Sequence, residues 1–280
     1  MSLISRLAFV GGGVMGEAMV RGALNANLLR PDQVRVADAS QERRDLLQSR
    51  YQIRVSASNR NVLAGADVVV LAVEREHAGG VLSELRGALR PGQLFLSVVA
   101  DLPLATLVAG LGHGAVVRAI PNAPAQVGAG VSAWIACPEV DAAGRSRAAA
   151  LLGALGRAHE VDDEDYLDMA TALSGSGPAY VFLFLEALID AGVHVGLPQP
   201  IARLLATETL LGAAMMARDG DMHPAQLRNM VTSPGGTTAA GLAELEAGGL
   251  RAAVDQAVVS AYNRSVELGR ERLTPEEERR

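Results

Sequence analysis

Short, almost purely apolar runs alternate with longer runs of helical spacing over the first half of the chain. In RLAFVGGGVMGEAMVRGAL the apolar run breaks at three glycines. Beyond it Val14, Met15, Ala18, Met19 and Ala23 recur about every third or fourth position, which predicts strand, turn and helix. The pattern continues through QVRVADAS (strand), ERRDLLQSR (helix), ADVVVLAV (strand), AGGVLSELRGAL (helix) and GQLFLSVVA (strand), then AVVRAIPNAP and AGVSAWIAC. Strands apolar at nearly every position are covered on both faces. The expected fold is therefore α/β, with an N-terminal doubly wound sheet of the Rossmann type over residues 1–160.

Past Asp162 the strand-like runs stop and Ala/Leu-rich helical segments follow: PAYVFLFLEALIDAGVHV, PQPIARLLATETLLGAAMMARDG, HPAQLRNMVTS and AAVDQAVVSAYNRSVELGRERL. Residues 161–280 are expected to form an all-α domain. Its segment 178–191 is apolar on nearly all sides, with Glu186 and Asp190 its only charges, and such a helix must be buried all round. A second copy of the chain is the economical source of that burial, so a homodimer through the helical domain is predicted. The terminal LTPEEERR reads as a frayed tail.

Composition narrows the function. Hydrophobic residues make up 49% of the chain and aromatics 3%, so Ala, Val and Leu fill the core. A net charge of −6 without a basic tract gives no support for a nucleic-acid surface. Apolar runs broken short of the roughly 18 residues of a membrane span, and an N-terminus entering a strand with no signal-peptide pattern, lead us to expect a soluble, cytoplasmic protein without a membrane partner. The single Cys137 cannot form an internal disulfide, and the five histidines lack metal-ligand spacing, so no metal is expected. All 25 basic residues are arginine, which excludes any mechanism that needs a lysine base or Schiff base.

Three motifs carry candidate chemistry. Gly11-Gly12-Gly13-Val14-Met15-Gly16 fits G-x-G-x-x-G between a strand and a helix. Gly11 allows the tight turn, Gly13 a close approach by a pyrophosphate at the helix N-terminus, and Gly16 close packing of helix on strand. Asp38, ending the second strand, favours NAD through the ribose 2′-hydroxyl, whereas Arg43 or Arg44 could approach the 2′-phosphate of NADP or simply form a solvated face. In LSGSGPAY (173–180), Ser176 or Gly177 as N-cap and Pro178 in the first turn suit a helix start, while the paired glycines suit a close backbone approach to a nicotinamide or a neighbouring subunit. In TSPGGTT (232–238) the reading is open between a capping turn and a nest of amides and hydroxyls for a carboxylate.

VRAIPNAPAQVGAG, TALSGSGPAYVFLFLEAL, GLPQPIAR and VTSPGGTTAAGLAELEAGGLR, in this order, resemble the Δ1-pyrroline-5-carboxylate reductase family, and the likeness spans nearly the whole chain. The resemblance implies reduction of a cyclic imine to proline by hydride from NADPH, with NADH possible given Asp38. It also implies an interlocked helical dimer, often assembled into a ring of dimers, with the active site between domains and subunits. Residue by residue, it implies Gly11, Gly13, Val14, Met15 and Gly16 at the pyrophosphate, Asn59, Ala72 and Val73 on the adenosine side, and Asn122 near the nicotinamide. Ser174, Ser233, Gly235, Gly236, Thr237 and Thr238 are the implied substrate residues, with Thr238 at the ring nitrogen as the catalytic candidate. Two stretches depart from the family pattern. Glu74-Arg75-Glu76 stands where the family usually has Lys-Pro-Gln, placing two acids beside the presumed cofactor cleft, and Ala100-Asp101 stands where Ala-Gly is common. The absence of lysine separates the chain from hydroxyacid dehydrogenases of similar layout. A reductase of another cyclic imino acid and a catalytically silent nucleotide-binding homologue remain as alternatives.

Overall fold

The computed structural model describes residues 3–270; the 273–280 tail lies outside them. Contacts divide the described residues into two compact units, one running to Ser176 and taking in residues 261–270, the other spanning Gly177–Ser260.

The first unit is built on one eight-stranded sheet. Its strands are β1 (Leu7–Val10), β2 (Val34–Ala37), β3 (Arg54–Ser56), β4 (Val68–Leu71), β5 (Leu94–Ser97), β6 (Val116–Pro121), β7 (Gly130–Ala136) and β8 (Gly156–Glu160). The order β3-β2-β1-β4-β5-β6-β7-β8 is parallel apart from the antiparallel β6–β7 pair, with Leu7 level with both Val34 and Val68. All four residues of β1, β4 and β5 are buried, as strands sandwiched between helices must be. Six helices connect the strands: α1 (Val14–Asn25), α2 (Gln41–Tyr51), α3 (Asn59–Val62), α4 (Arg75–Leu85), α5 (Leu104–Leu111) and α6 (Ala142–Gly153). Two phenylalanines sit at the centre: Phe9 and Phe95 are fully buried, and truncating either to alanine should cost about 3–5 kcal/mol.

Crossing from β3-β2-β1 to β4-β5-β6 reverses the direction of winding between β1 and β4. A crevice opens there beyond the carboxyl ends of the strands.

One sequence expectation is corrected here. LSGSGPAY is not a helix start, because α7 (Asp165–Ala170) runs through a π-helical turn at Thr171–Gly175 directly into α8 (Gly177–His194). Pro178 has no N–H for the Ser174 carbonyl four residues earlier, so the chain widens by one residue instead of stopping. Ser176 N–H accordingly reaches back five residues, to Thr171 O at 2.8 Å. The continuous helix, Asp165–His194, therefore has the length and hydropathy of a membrane span by composition, contrary to the expectation from the broken apolar runs.

The second unit is helical: α8, α9 (Gln199–Asp219), α10 (Pro224–Met230), α11 (Thr237–Ala247) and the first part of α12 (Leu250–Arg270). α8 and α9 form a hairpin in which Gly192 lets Ala202 come close; a β-carbon at 192 would lie 3.0 Å from that of Ala202. His223 caps α10 reciprocally with Gln226, and Pro224 fills the first turn. Among the described residues of this unit Ala202 alone is buried, while Phe182, Leu183, Leu204 and Leu205 are more than half exposed. A helical unit with this little core of its own needs a second surface to cover it.

Candidate functional site

The glycine loop sits at the β1–β4 switch point. Gly11 has φ +97°, a conformation open to glycine, and a β-carbon there would collide with Ala72 O and crowd Val73. A β-carbon on Gly16 would fall on Gly11 O, so α1 packs against the turn only because residue 16 is glycine. Beside Gly13 the space is clear to 4 Å. Gly11, Gly13, Val14, Met15, Gly16, Ala72 and Val73 thus gather at one crevice, with Gly13 and Val14 exposed where α1 begins.

Asp38 closes one side. Its Oδ2 accepts the Gly12 N–H at 2.8 Å and its Oδ1 the Ser40 N–H at 2.9 Å, which fixes the carboxylate at the end of β2. The two arginines take different places: the Arg43 guanidinium folds against Gly12 O, Gly13 O and Glu17. Arg44 is the one beside Asp38, donating from Nη1 to Asp38 O at 2.6 Å and Ala39 O at 2.8 Å. Asn59, the first residue of α3, donates to Glu84 Oε2 at 2.6 Å.

Asn122 follows β6 and is buried. Its Oδ1 accepts Val131 N–H at 2.9 Å, and its Nδ2 donates to Ser174 O at 3.1 Å, so the structure joins the PNAP and SGSGPAY motifs. The Ser174 hydroxyl donates to Ala170 O within its own helix.

Three charged features escaped the sequence reading. Glu17, 9% exposed, receives Arg43, Arg50 (2.7 Å) and the Tyr51 hydroxyl (2.8 Å). Burial alone would raise its pKa, but these donors outweigh burial and hold the carboxyl below its usual range. Burial and the bond to Glu17 in turn push the Tyr51 phenol up. Arg118, 2% exposed in β6, donates to Glu164 at 2.7 Å and lies 3.5 Å from Asp168. Ser265 in α12 donates toward Asp101 at 2.8 Å and Asp168 at 3.0 Å. A lone arginine in an apolar strand, with DEDYLD downstream, was the available signal for the second.

The two departures from the family pattern meet each other. Arg75 donates to the carbonyls of Asp101 and Leu268, while Glu74 and Glu76 remain exposed at the start of α4.

In the second unit, Ser233–Gly236 turns into α11. Gly235 has φ +71°, Gly236 is the N-cap, and Thr237 and Thr238 open the helix with exposed hydroxyls. No side chain caps this end and no acid lies in its first turn. A β-carbon at 236 would fall on Ser233 Oγ, so a capping serine or aspartate there would require the Ser233 hydroxyl to turn away. The first-turn amides of Thr237, Thr238 and Ala239 are therefore not spent on a side-chain cap, the arrangement that suits a carboxylate.

A groove of about 1010 Å³ lies elsewhere, between β7, β8 and α7, lined by Ile135, His159, Tyr166, Met169 and Leu173. None of the sequence-predicted site residues lines it. Among the described residues no group of three or more His, Cys, Asp or Glu could hold a metal ion.

Residues 164–268 match the family model for pyrroline-5-carboxylate reductase dimerisation, and residues 6–101 that for NADP oxidoreductase, coenzyme F420-dependent. A pyrroline-5-carboxylate reductase of Synechocystis is 43% identical over 266 residues, covering 95% of this chain and 98% of its own. The chain belongs to the pyrroline-5-carboxylate reductase family. The reductase of Pseudomonas aeruginosa is likewise 43% identical, over 94% of this chain and 96% of its own. Two solved structures superpose over nearly all of it. They are a pyrroline-5-carboxylate reductase from Coxiella burnetii (TM-score 0.89, 36% identity, 95% of this chain and 99% of that one) and the Plasmodium falciparum enzyme with NADP bound (TM-score 0.87, 32% identity, 96% and 99%). As a pyrroline-5-carboxylate reductase family member, the chain is a nicotinamide-nucleotide oxidoreductase with a homo-oligomerising helical region. The long apolar helix Asp165–His194 falls within the dimerisation match, which accounts for its most apolar stretch being almost wholly unburied within one chain.

Proposed function

We propose that the protein reduces Δ1-pyrroline-5-carboxylate to L-proline with NAD(P)H, the last step of proline synthesis. The observation that carries this reading is 43% identity to named reductases along almost the whole chain. The functional division falls near residue 160, where the last strand ends at Glu160 and shortly before the dimerisation match begins.

The cradle fits a dinucleotide: clear space beside Gly13, exposed amides at the start of α1 and a fixed carboxylate at Asp38. A bound reduced nicotinamide supplies the hydride. The chain's work is binding and orientation. Gly11 to Gly16 hold the pyrophosphate, Asp38 meets the ribose, Ala72, Val73 and Asn59 flank the adenosine, and Asn122 fixes the backbone of Ser174 at the nicotinamide end.

NADPH is the preferred donor in this reading, with Arg44 beside Asp38 as the residue for the 2′-phosphate. The Ser233–Thr238 turn holds the substrate carboxylate, each charge-assisted bond adding about 1.5–3 kcal/mol, and Thr238 meets the imine nitrogen. Holding the two partners in near-attack geometry accounts for about 7–11 kcal/mol in the best intramolecular cases.

The test is to follow NADPH and NADH oxidation with pyrroline-5-carboxylate and then with a six-membered cyclic imine. Turnover favouring the five-membered ring is expected; preference for the larger ring would reassign the substrate, and no turnover with either would leave a silent homologue. Arg44→Ala should lower kcat/KM for NADPH about tenfold and spare NADH, as loss of one charged hydrogen bond would. We also propose a ring of dimers, to be read as a multiple of the dimer mass by light scattering, with a lone dimer sufficient to reject it. A cytoplasmic location is consistent with a single buried cysteine and no possible internal disulfide.

A further inference from the structure

Gly11–Gly13 is the most flexible tripeptide the chain could place at a phosphate site, yet a preorganised site needs its amides aimed before the ligand arrives. Two bonds hold the loop from the donor side, Gly11 N–H to Ala37 O at 2.8 Å and Gly12 N–H to Asp38 Oδ2 at 2.8 Å. Three more hold it from the acceptor side. The Glu17 N–H, in the first turn of α1, donates to Gly13 O at 2.9 Å, and Arg43 donates from Nε to Gly12 O and from Nη2 to Gly13 O, the latter at 3.2 Å.

These carbonyls belong to particular peptide planes. Gly12 C=O shares its plane with the Gly13 N–H, and Gly13 C=O with the Val14 N–H, and in a trans peptide the two groups point in opposite directions. Anchoring both oxygens to one guanidinium on α2 therefore aims two successive amides away from α2, where space beside Gly13 is clear. The planar fork of arginine can span both oxygens and a carboxylate at once; an ammonium cannot.

The carboxylate is Glu17, in the first turn of α1, whose Oε2 takes Arg43 Nη2 while its Oε1 takes Arg50 and Tyr51. We propose that Glu17 and Arg43 form a latch that sets the glycine loop in its binding shape before the nucleotide arrives, with Glu17 a positioning residue acting through Arg43. This rests on the nucleotide-binding reading above and adds a role to residues outside the G-x-G-x-x-G pattern.

A charge-only role makes the opposite forecast for one variant. If Glu17 and Arg43 mattered only as charges near an anion, Glu17→Gln would tighten nucleotide binding and Arg43→Gln would weaken it. A latch weakens both.

The experiment uses full-length protein carrying Glu17→Gln, Arg43→Gln, the double change and Arg50→Met. NADPH affinity is read by equilibrium fluorescence titration, and hydrogen exchange of amides 11–16 is read without nucleotide. Each single latch variant should bind about tenfold more weakly, in line with one charged hydrogen bond, and exchange faster in the loop. The double variant should match Arg43→Gln, because coupled residues do not add, and Arg50→Met should stay within about twofold of wild type, as loss of a half-exposed pair permits. Tighter or unchanged binding by Glu17→Gln, or additive losses, would overturn the latch. If Glu17→Gln does not fold, Arg43→Lys decides: wild-type affinity means charge, about tenfold loss means the fork. A wild-type protein that binds neither NADPH nor NADH would instead sink the nucleotide-site reading itself.

Discussion

Asn122 donates through Nδ2 to the Ser174 carbonyl at 3.1 Å, an oxygen that Pro178, four residues on in the same helix, has no N–H to reach. The π-turn, the proline and the asparagine are one device. Asn122→Ala would remove the partner of both Ser174 O and Val131 N–H, each only partly buried, and at about 0.5–1.5 kcal/mol for each lost bond it should lower the thermal midpoint. Pro178→Ala is the finer probe, because it offers Ser174 a competing helical donor. Its expected signature is a several-fold loss of kcat/KM with little change in melting temperature; unchanged kinetics would show that the Asn122 contact is structural only.

Asp101 sits at φ +56° and is 7% exposed, with its carboxylate on Ser265 and its carbonyl on Arg75. A left-handed conformation costs a non-glycine residue about 1–2 kcal/mol, and a hydrogen bond to a charged group returns about 1.5–3 kcal/mol. Asp101→Gly loses the bond and relieves the strain, whereas Asp101→Ala loses the bond and keeps it. Denaturant unfolding should therefore rank wild type above glycine and glycine above alanine, the last two about 1 kcal/mol apart. An alanine variant as stable as the glycine variant would remove strain from this account.

The buried carboxylate of Glu17 gives stability a pH signature. Its pKa is depressed in the folded chain, so the stabilisation is fully present above the ordinary glutamate range and is lost as pH falls through the lowered value. Glu17→Gln should be less stable than wild type by about 1.5–3 kcal/mol at neutral pH, the range for losing hydrogen bonds to a charged group whose partners are partly solvated. The gap should narrow on acidification in parallel chemical-denaturation curves. A gap independent of pH would assign the loss to packing.

What the sequence made legible was periodic or compositional. Continuous apolar strands specified the covered parallel sheet, and the spacing of glycines around one strand and one helix specified the switch-point loop. The π-turn was illegible because Pro178 after two serines and two glycines is also how a helix begins; only the donor supplied by Asn122, far away in sequence, tips the choice. The place of Arg43 stayed open for a related reason. Its place on α2 allows solvent, phosphate or loop, and the selecting partner, Glu17, lies on another helix. Asp101 and Arg75 each looked like an isolated departure, and their contact depends on where α12 returns to the sheet.

Thr238 occupies the second position of α11, with an exposed hydroxyl beside first-turn amides that carry no side-chain cap. It takes no part in a buried network, so Thr238→Ala should leave stability within about 0.5 kcal/mol of wild type, the difference in helix propensity being small. Activity should respond differently. If the hydroxyl meets the imine nitrogen and helps place its proton, kcat/KM should fall about 10²-fold, within the range for positioned proton-transfer groups. Thr238→Ser, which keeps the hydroxyl, should recover most of that loss. The comparison separates chemistry from carboxylate binding, because the amides of Thr237, Thr238 and Ala239 survive both substitutions. An alanine variant with near-wild-type kinetics would leave the turn as a carboxylate holder and move the search for the proton's path elsewhere.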